Sequence, residues 1–136
     1  MELAAARTFI KTHHQAVLAT LRPDGTPQLS PVTTGVDADG RVFISTRETA
    51  IKVKHIRKTG KAWICVLPDG FFGEWIYVEG TATILSLPDA MESLVTGYRS
   101  ISGEHPDWDD YRAAMVRDQR CLIHIELTRA GPDFHG

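Results

Sequence analysis

The sequence lacks most of the features that would reveal a function at sight. It has two cysteines in 136 residues, Cys65 and Cys121, each set in an apolar run (ICVL and RCLIHI). Thiols in such settings read as buried and reduced rather than bridged, which predicts a cytoplasmic protein without a disulfide framework. Its six histidines fall at no metal-ligand spacing, so no metal site is expected. His13 and His14 read as the polar last turn of a first helix, where they meet the negative end of its dipole. No apolar run approaches the roughly 20 residues that span a bilayer. The start, MELAAARTFIKTHH, has an acid at its head and none of the apolar core of a secretory leader. Neither GxGxxG nor GxxxxGK[ST] occurs, so any bound phosphate must be held without the two common phosphate loops. No Ser-His-Asp or paired-carboxylate constellation stands out, and no catalytic residue is assigned. An excess of positive charge is also missing. The formal net charge is −2 and the pI about 6.3, which excludes the broad basic surface of a general nucleic-acid binder.

What remains is an ordinary globular composition, 43% hydrophobic and 24% charged, of a length that predicts one domain over residues 1–136. Residues 2–12 read as a helix. QAVLATL (Gln15–Leu21) is a strand followed by an RPDG turn, and TPQLSPVTTGVD (Thr26–Asp37) reads as a second strand interrupted at Pro31. A proline cannot donate to a sheet ladder, so Pro31 implies an edge or a bulge. DADG is a further turn and Arg41–Thr46 a third strand. A short helix from Thr49 to Lys58 stops at Gly60. Lys61–Leu67 is strand four, Pro68–Gly73 a loop, and Glu74–Leu87 a long fifth strand. Helices over Asp89–Ile101 and Asp107–Gln119 precede a sixth strand, Arg120–Thr128. Trp63 reads as a core aromatic, and Trp108 as a packing anchor. Glu104, Asp107, Asp109 and Asp110 read as groups that cap and solvate a helix. Strands at short spacing, joined mainly by turns, predict a mainly β, six-stranded antiparallel barrel with flanking helices.

One stretch departs from the even charge distribution. STRETAIKVKHIRKTGKAWICV (Ser45–Val66) holds Arg47, Lys52, Lys54, Arg57, Lys58 and Lys61, six of the 15 Lys and Arg residues, around the single acid Glu48. Two readings compete. One is a solvated basic helix face. The other is a phosphate cradle, in which Ser45, Thr46 and Thr49 add hydroxyls at the end of a strand and the free N–H groups of a helix start favour an anion. On the helical wheel Ala50, Val53 and Ile56 share the arc that faces the barrel, with Lys52 at one edge and Lys54 and Arg57 toward the other.

Three stretches together resemble the split β-barrel superfamily of flavin and deazaflavin proteins named after pyridoxamine-phosphate oxidase. AVLATLRPDGTPQLSPV (Ala16–Val32) is similar to its first hairpin. The basic strand-helix-strand resembles its phosphate-binding unit. YVEGTATI with GYRSISGEHPDWDDYRAAMVRDQR (Gly97–Arg120) resembles most closely the actinobacterial branch that binds the deazaflavin coenzyme F-420. Relatives often carry an arginine two places before the helical lysine, where this chain has Ala50.

The resemblance implies that Lys52 contacts cofactor phosphate, supported by Lys54, with Ser45, Thr46 and Arg47 lining the approach. Gln28, Ser30, Pro31 and Val32 would face the ring. Trp75 and Tyr77 would wall the pocket, from the partner subunit of a homodimer whose interface holds the cofactor. The implied activity is hydride transfer from reduced F-420 to a conjugated small molecule of enone, quinone or tetrapyrrole type. FMN is the alternative cofactor, with oxidase or reductase chemistry. A non-catalytic binder of either cofactor, and a basic interaction surface without any, are the further alternatives. No nucleic-acid or membrane partner is implied.

Overall fold

The structure, a computed structural model, describes residues 1–133. Among them are four helices and seven strands: α1 (Leu3–Ile10), β1 (Gln15–Leu21), β2 (Pro27–Thr33), β3 (Gly35–Val36), β4 (Val42–Arg47), α2 (Ile51–Thr59), β5 (Lys61–Leu67), β6 (Ile76–Leu85), α3 (Met91–Ser102), α4 (Trp108–Arg117) and β7 (Arg120–Gly131). All strands join one antiparallel sheet in the order β2-β1-β5-β6-β7-β4-β3. The two strands at opposite ends of that order are separated in sequence by Thr34 alone, so the sheet must curl until its edges approach. Thr34 ties them together. Its N–H donates to the His14 carbonyl ahead of β1 at 2.8 Å, and its hydroxyl donates to the Phe43 carbonyl in β4 at 3.1 Å. His14 Nδ1 also lies 2.8 Å from the Thr34 carbonyl oxygen.

The single second strand expected over Thr26–Asp37 is therefore two strands, and the barrel has seven rather than six. β2 is an edge strand, as Pro31 implies, and its register with β1 runs without a break. The bulge lies elsewhere. Glu79 of β6 faces Arg129 and Gly80 faces Leu127, leaving Thr128 as the extra residue in β7. A Cβ at position 80 would sit 1.9 Å from the Glu126 carbonyl oxygen, so only glycine fits there.

Alternation along each strand divides the sheet into two faces. Leu18, Val42, Ile44, Ile64, Val78, Ile123 and Ile125 point inward and are almost fully buried, closed over by Ala6 and Ile10 of α1 and by Ile56 of α2. The other face of β4 and β7 is covered by α3 and α4. There Phe43 and Leu122 pack against Leu94, Val95 and Tyr111. Because β7 is buried on both faces, its sequence RCLIHIEL is close to continuously apolar. The Tyr111 hydroxyl donates to the Leu94 carbonyl at 3.0 Å, locking α4 to α3.

Helix α2 is short and ends where Gly60 takes a left-handed conformation (φ +66°), its N–H returning to the Ile56 carbonyl. Trp63 is not a core aromatic. It lies on the outer face of β5, half-buried, and its Nε1 donates to Glu79 Oε2 at 2.6 Å. In the helical segment Asp107 caps α4 by accepting from the Asp110 N–H. Glu104 accepts from Trp108 Nε1 at 3.0 Å and pairs with Arg99. Trp108 itself packs against Tyr98, His105 and Tyr111. These acids cap and pair, as their positions in sequence suggest. No helix of the described residues is long and apolar enough to cross a membrane.

Candidate cofactor cleft

Curling of the sheet leaves a cleft of about 540 Å³ where edge strand β2 passes β4 and the start of α2. Pro31 and Val32 supply one wall and Ser45 and Thr46 the facing one. Lys52 reaches in from α2 and Arg120 from the first position of β7, with Ala16 and Val17 of β1 at the base. The lining contains two cations, two hydroxyl side chains from β4, and no Asp or Glu among the described residues. Ala50, at the N-cap of α2, offers no side-chain oxygen to the first N–H groups of the helix. The Val53 N–H donates instead to the Ala50 carbonyl at 3.1 Å, so Lys52 is the part of α2 that meets the cleft. Burial pulls the pKa of Lys52 below its ordinary value, because a half-buried ammonium without an anionic partner loses solvation. Arg120 is in a similar position. Its Nε is buried and has no hydrogen-bond partner among the described residues. A phosphate in this cleft would answer the Lys52 ammonium, with the Ser45 and Thr46 hydroxyls as further donors, while Arg120 also borders a neighbouring space.

The other cations of the basic segment are used differently. Arg57 is held by Glu48 (Nη2 to Oε2, 2.8 Å), and Ser86 donates to the same carboxylate at 2.5 Å. These contacts, the Ser86 hydrogen bond first, keep Glu48 below the usual carboxylate range. His55 is buried, with Nδ1 3.0 Å from Thr20 Oγ1. Burial and the neighbouring Glu48 push the Cys121 thiol up to about 11.

A sequence profile described as pyridoxamine 5'-phosphate oxidase matches residues 3–131. The chain belongs to that family. Several solved structures share its fold. A conserved hypothetical protein from Mycobacterium tuberculosis matches with a TM-score of 0.77 at 21% identity, covering 96% of this chain and 82% of its own. An F420 reductase matches with a TM-score of 0.71 at 18% identity, covering 92% and 94%. A pyridoxamine 5'-phosphate oxidase-related, FMN binding protein from Nostoc punctiforme matches with a TM-score of 0.62 at 18% identity, covering 93% and 79%. At these identities the likeness speaks for the fold.

On this oxidase-family scaffold the structure brings Ser45, Thr46, Pro31, Val32 and Lys52 together around one cleft. It does not bring the other expected residues there. Lys54 lies on the far side of α2, beside Leu21, Pro23, Ile51 and Lys58. Gln28 and Ser30 share the inner face of β2 with Val32 but lie further along the strand, and Gln28 Oε1 accepts from Thr20 at 3.5 Å. Arg47 is exposed at the end of β4, opposite Arg120. Trp75 precedes β6, and Tyr77 lies on the outer face of the sheet between Cys65 and Gly131, so neither lines this cleft within its own chain. Arg120 was not anticipated. Its one sequence signal is a cation opening an apolar strand, and its place in the cleft depends on the pairing of β4 with β7.

Proposed function

We propose that the chain is an oxidoreductase that uses the deazaflavin coenzyme F-420 to reduce a conjugated electrophilic small molecule. The observation that carries this is the cleft itself, whose lining, free of acids among the described residues, pairs a half-buried Lys52 with the Ser45 and Thr46 hydroxyls. Lys52 and these hydroxyls would hold the phosphate. Val32 and Pro31 would present an apolar edge to the ring. The bound cofactor supplies the hydride, and the protein supplies position and electrostatics. The similar F420 reductase supports this choice.

A second reading, with FMN as the cofactor, is favoured by the FMN-binding relative. Both cofactors carry a ribityl phosphate, and they differ in the carboxylate-bearing tail of F-420. For that tail α2 offers Lys54 and Lys58 on one exposed groove, which a long tail would reach by passing around the helix from Lys52. His55 is buried, Arg57 is paired with Glu48, and Lys61 lies on another face, near Trp63 and Thr81. The exposed cations on that groove are thus Lys54 and Lys58. Two exposed pairs at roughly 0.2–1 kcal/mol each give a salt-sensitive preference of about twofold to about thirtyfold. Side-by-side titrations of F-420 and FMN at low and high ionic strength test this. Tighter F-420 binding that fades with salt supports the deazaflavin reading, and equal affinities at low salt transfer the function to FMN.

The proposed assembly is a homodimer. Leu29, Val17, Ala19, Cys65, Trp63 and Tyr77 form a stripe across the outer face of β2, β1, β5 and β6, since each faces its neighbour in register. Leu29 is 63% exposed, and Trp75, Phe71 and Phe72 add exposed aromatic surface nearby in sequence. Burial of this face against a second copy would bring partner residues toward the open cleft.

A further inference from the structure

Between β4, β7 and the two covering helices lies a second cavity, of about 360 Å³, separate from the phosphate cleft but adjoining it. Thr33, Ser45 and Arg120 line both spaces. The walls of the second are otherwise mainly apolar: Phe43, Leu94, Tyr98, Ile101, Tyr111 and Met115. The Tyr111 hydroxyl is already spent on the Leu94 carbonyl, and burial raises its pKa, so it offers the cavity an aromatic face rather than a proton. Arg120 stands at the shared wall, its Nε buried and unpartnered among the described residues. No Asp or Glu lines the cavity among the described residues. A space of this size is within the range of small-molecule sites, which combine apolar walls with a few orienting polar groups.

We propose that this cavity is a binding site for a small apolar carboxylate. Its aromatic or aliphatic body lies among the six residues named, and its acid group is held by the Arg120 guanidinium. A guanidinium's planar fork matches a carboxylate in two parallel hydrogen bonds, and an unpartnered Nε–H leaves that fork open. The compact charge of Lys52, in the wetter cleft, suits phosphate instead. The proposal concerns binding and stands apart from which cofactor the cleft takes.

The test uses the full chain without added cofactor, with 2-naphthoate as probe and 2-naphthalenemethanol as its uncharged counterpart, followed by methyl NMR and calorimetry. Naphthoate should bind at least about tenfold more tightly than the alcohol, the ratio expected for one charge-assisted contact. It should shift the Leu94, Ile101 and Met115 methyl signals while leaving those of Ala16 and Val17, at the base of the cleft, in place. Arg120→Gln should remove the preference for the acid, and Met115→Trp, which fills the cavity, should abolish binding of both probes. Equal affinities for acid and alcohol, or shifts at Ala16 and Val17 instead of the cavity methyls, would overturn the proposal. The wild-type shift map decides the matter even if a variant fails to fold.

Discussion

Thr20 on β1 and His55 on α2 meet between the sheet and the helix, Oγ1 to Nδ1 at 3.0 Å, with both side chains buried. This contact fixes the rotation of α2 on the sheet, and with it the side from which Lys52 enters the cleft. Thr20→Val keeps the shape but leaves a buried ring nitrogen without its partner. An unsatisfied buried group costs about 1–3 kcal/mol, and urea unfolding should show a loss of that size. The double variant Thr20→Val/His55→Leu should recover part of it, because no polar group is then stranded.

Gly80 predicts a sharper effect. The Cβ of Gly80→Ala would lie 1.9 Å from the Glu126 carbonyl oxygen, a backbone atom that no rotamer change can move aside. The β6–β7 ladder must shift, at a cost of at least about 1–3 kcal/mol, read as a lowered midpoint in thermal or urea unfolding. Gly70→Ala is the control. A Cβ there meets nothing within 4 Å, and its midpoint should match that of the parent.

The contrast between these positions shows what could be read from the sequence. β1 and β5 were legible to the residue, because each is a short apolar run bounded by a helix end on one side and a Pro- and Gly-marked turn on the other. Gly60 marked the end of α2 because the left-handed cap needs glycine. The split at Thr34 was not legible, since it is set by hydrogen bonds to His14 and Phe43 that exist only after the sheet curls. The bulge opposite Gly80 is likewise a property of two strands together. In the site, Lys52, Ser45 and Thr46 are local to one strand-helix junction, and the basic segment revealed them. Arg120 reaches them from the far end of the chain through the β4–β7 pairing. On the helical wheel Ala50, Val53 and Ile56 face inward. Ala50 is in fact the N-cap, and His55 takes part in the buried face with Val53 and Ile56.

Lys52 should impose a pH dependence on phosphate binding. Burial holds its pKa below the ordinary 10.5, and a bound phosphate favours the charged form and raises it again. Affinity should therefore be level below the free protein's lowered value and fall as pH rises through it, with uptake of a proton on binding in that window. Lys52→Ala should weaken binding about tenfold to a hundredfold, the equivalent of roughly 1.5–3 kcal/mol, and remove this alkaline dependence. Calorimetry in buffers of different ionisation enthalpy measures both. An unchanged affinity in the folded variant would leave the helix as a solvated basic face.

His124 predicts a separate acid-side effect on stability. It is buried on β7, with Nε2 3.9 Å from Asp37 Oδ2. Burial, aided by Arg41, lowers its pKa from 6.5, while Asp37, Glu126 and Asp39 oppose the shift. The unfolded chain then binds a proton more readily than the folded one between the lowered value and 6.5, so stability rises with pH across that interval. The contribution is complete above 6.5, is lost progressively on acidification, and levels off below the folded-state pKa. His124→Gln should flatten this slope in urea unfolding measured from pH 7 downward. Glu48, whose pKa is also depressed, contributes only below its ordinary 4.5.

The proposed dimer rests on the apolar stripe centred on β1 and β2, and Leu29 gives it a direct test. Leu29 is 63% exposed in the single chain and faces Ala19, which in turn faces Trp63 on the same outer side of the sheet. Leu29→Glu should therefore cost the isolated fold little, since its carboxylate stays in water. Across a two-fold interface one substitution introduces two charges, one from each copy, and burying them without partners would cost several kcal/mol. Sedimentation should then show a monomer with an unchanged circular dichroism spectrum. Cofactor affinity should fall with it if partner residues such as Trp75 and Tyr77 complete the cleft. A Leu29→Glu protein that remains dimeric would place the interface on another face, and a parent protein that is monomeric while still binding cofactor would remove the dimer from the mechanism.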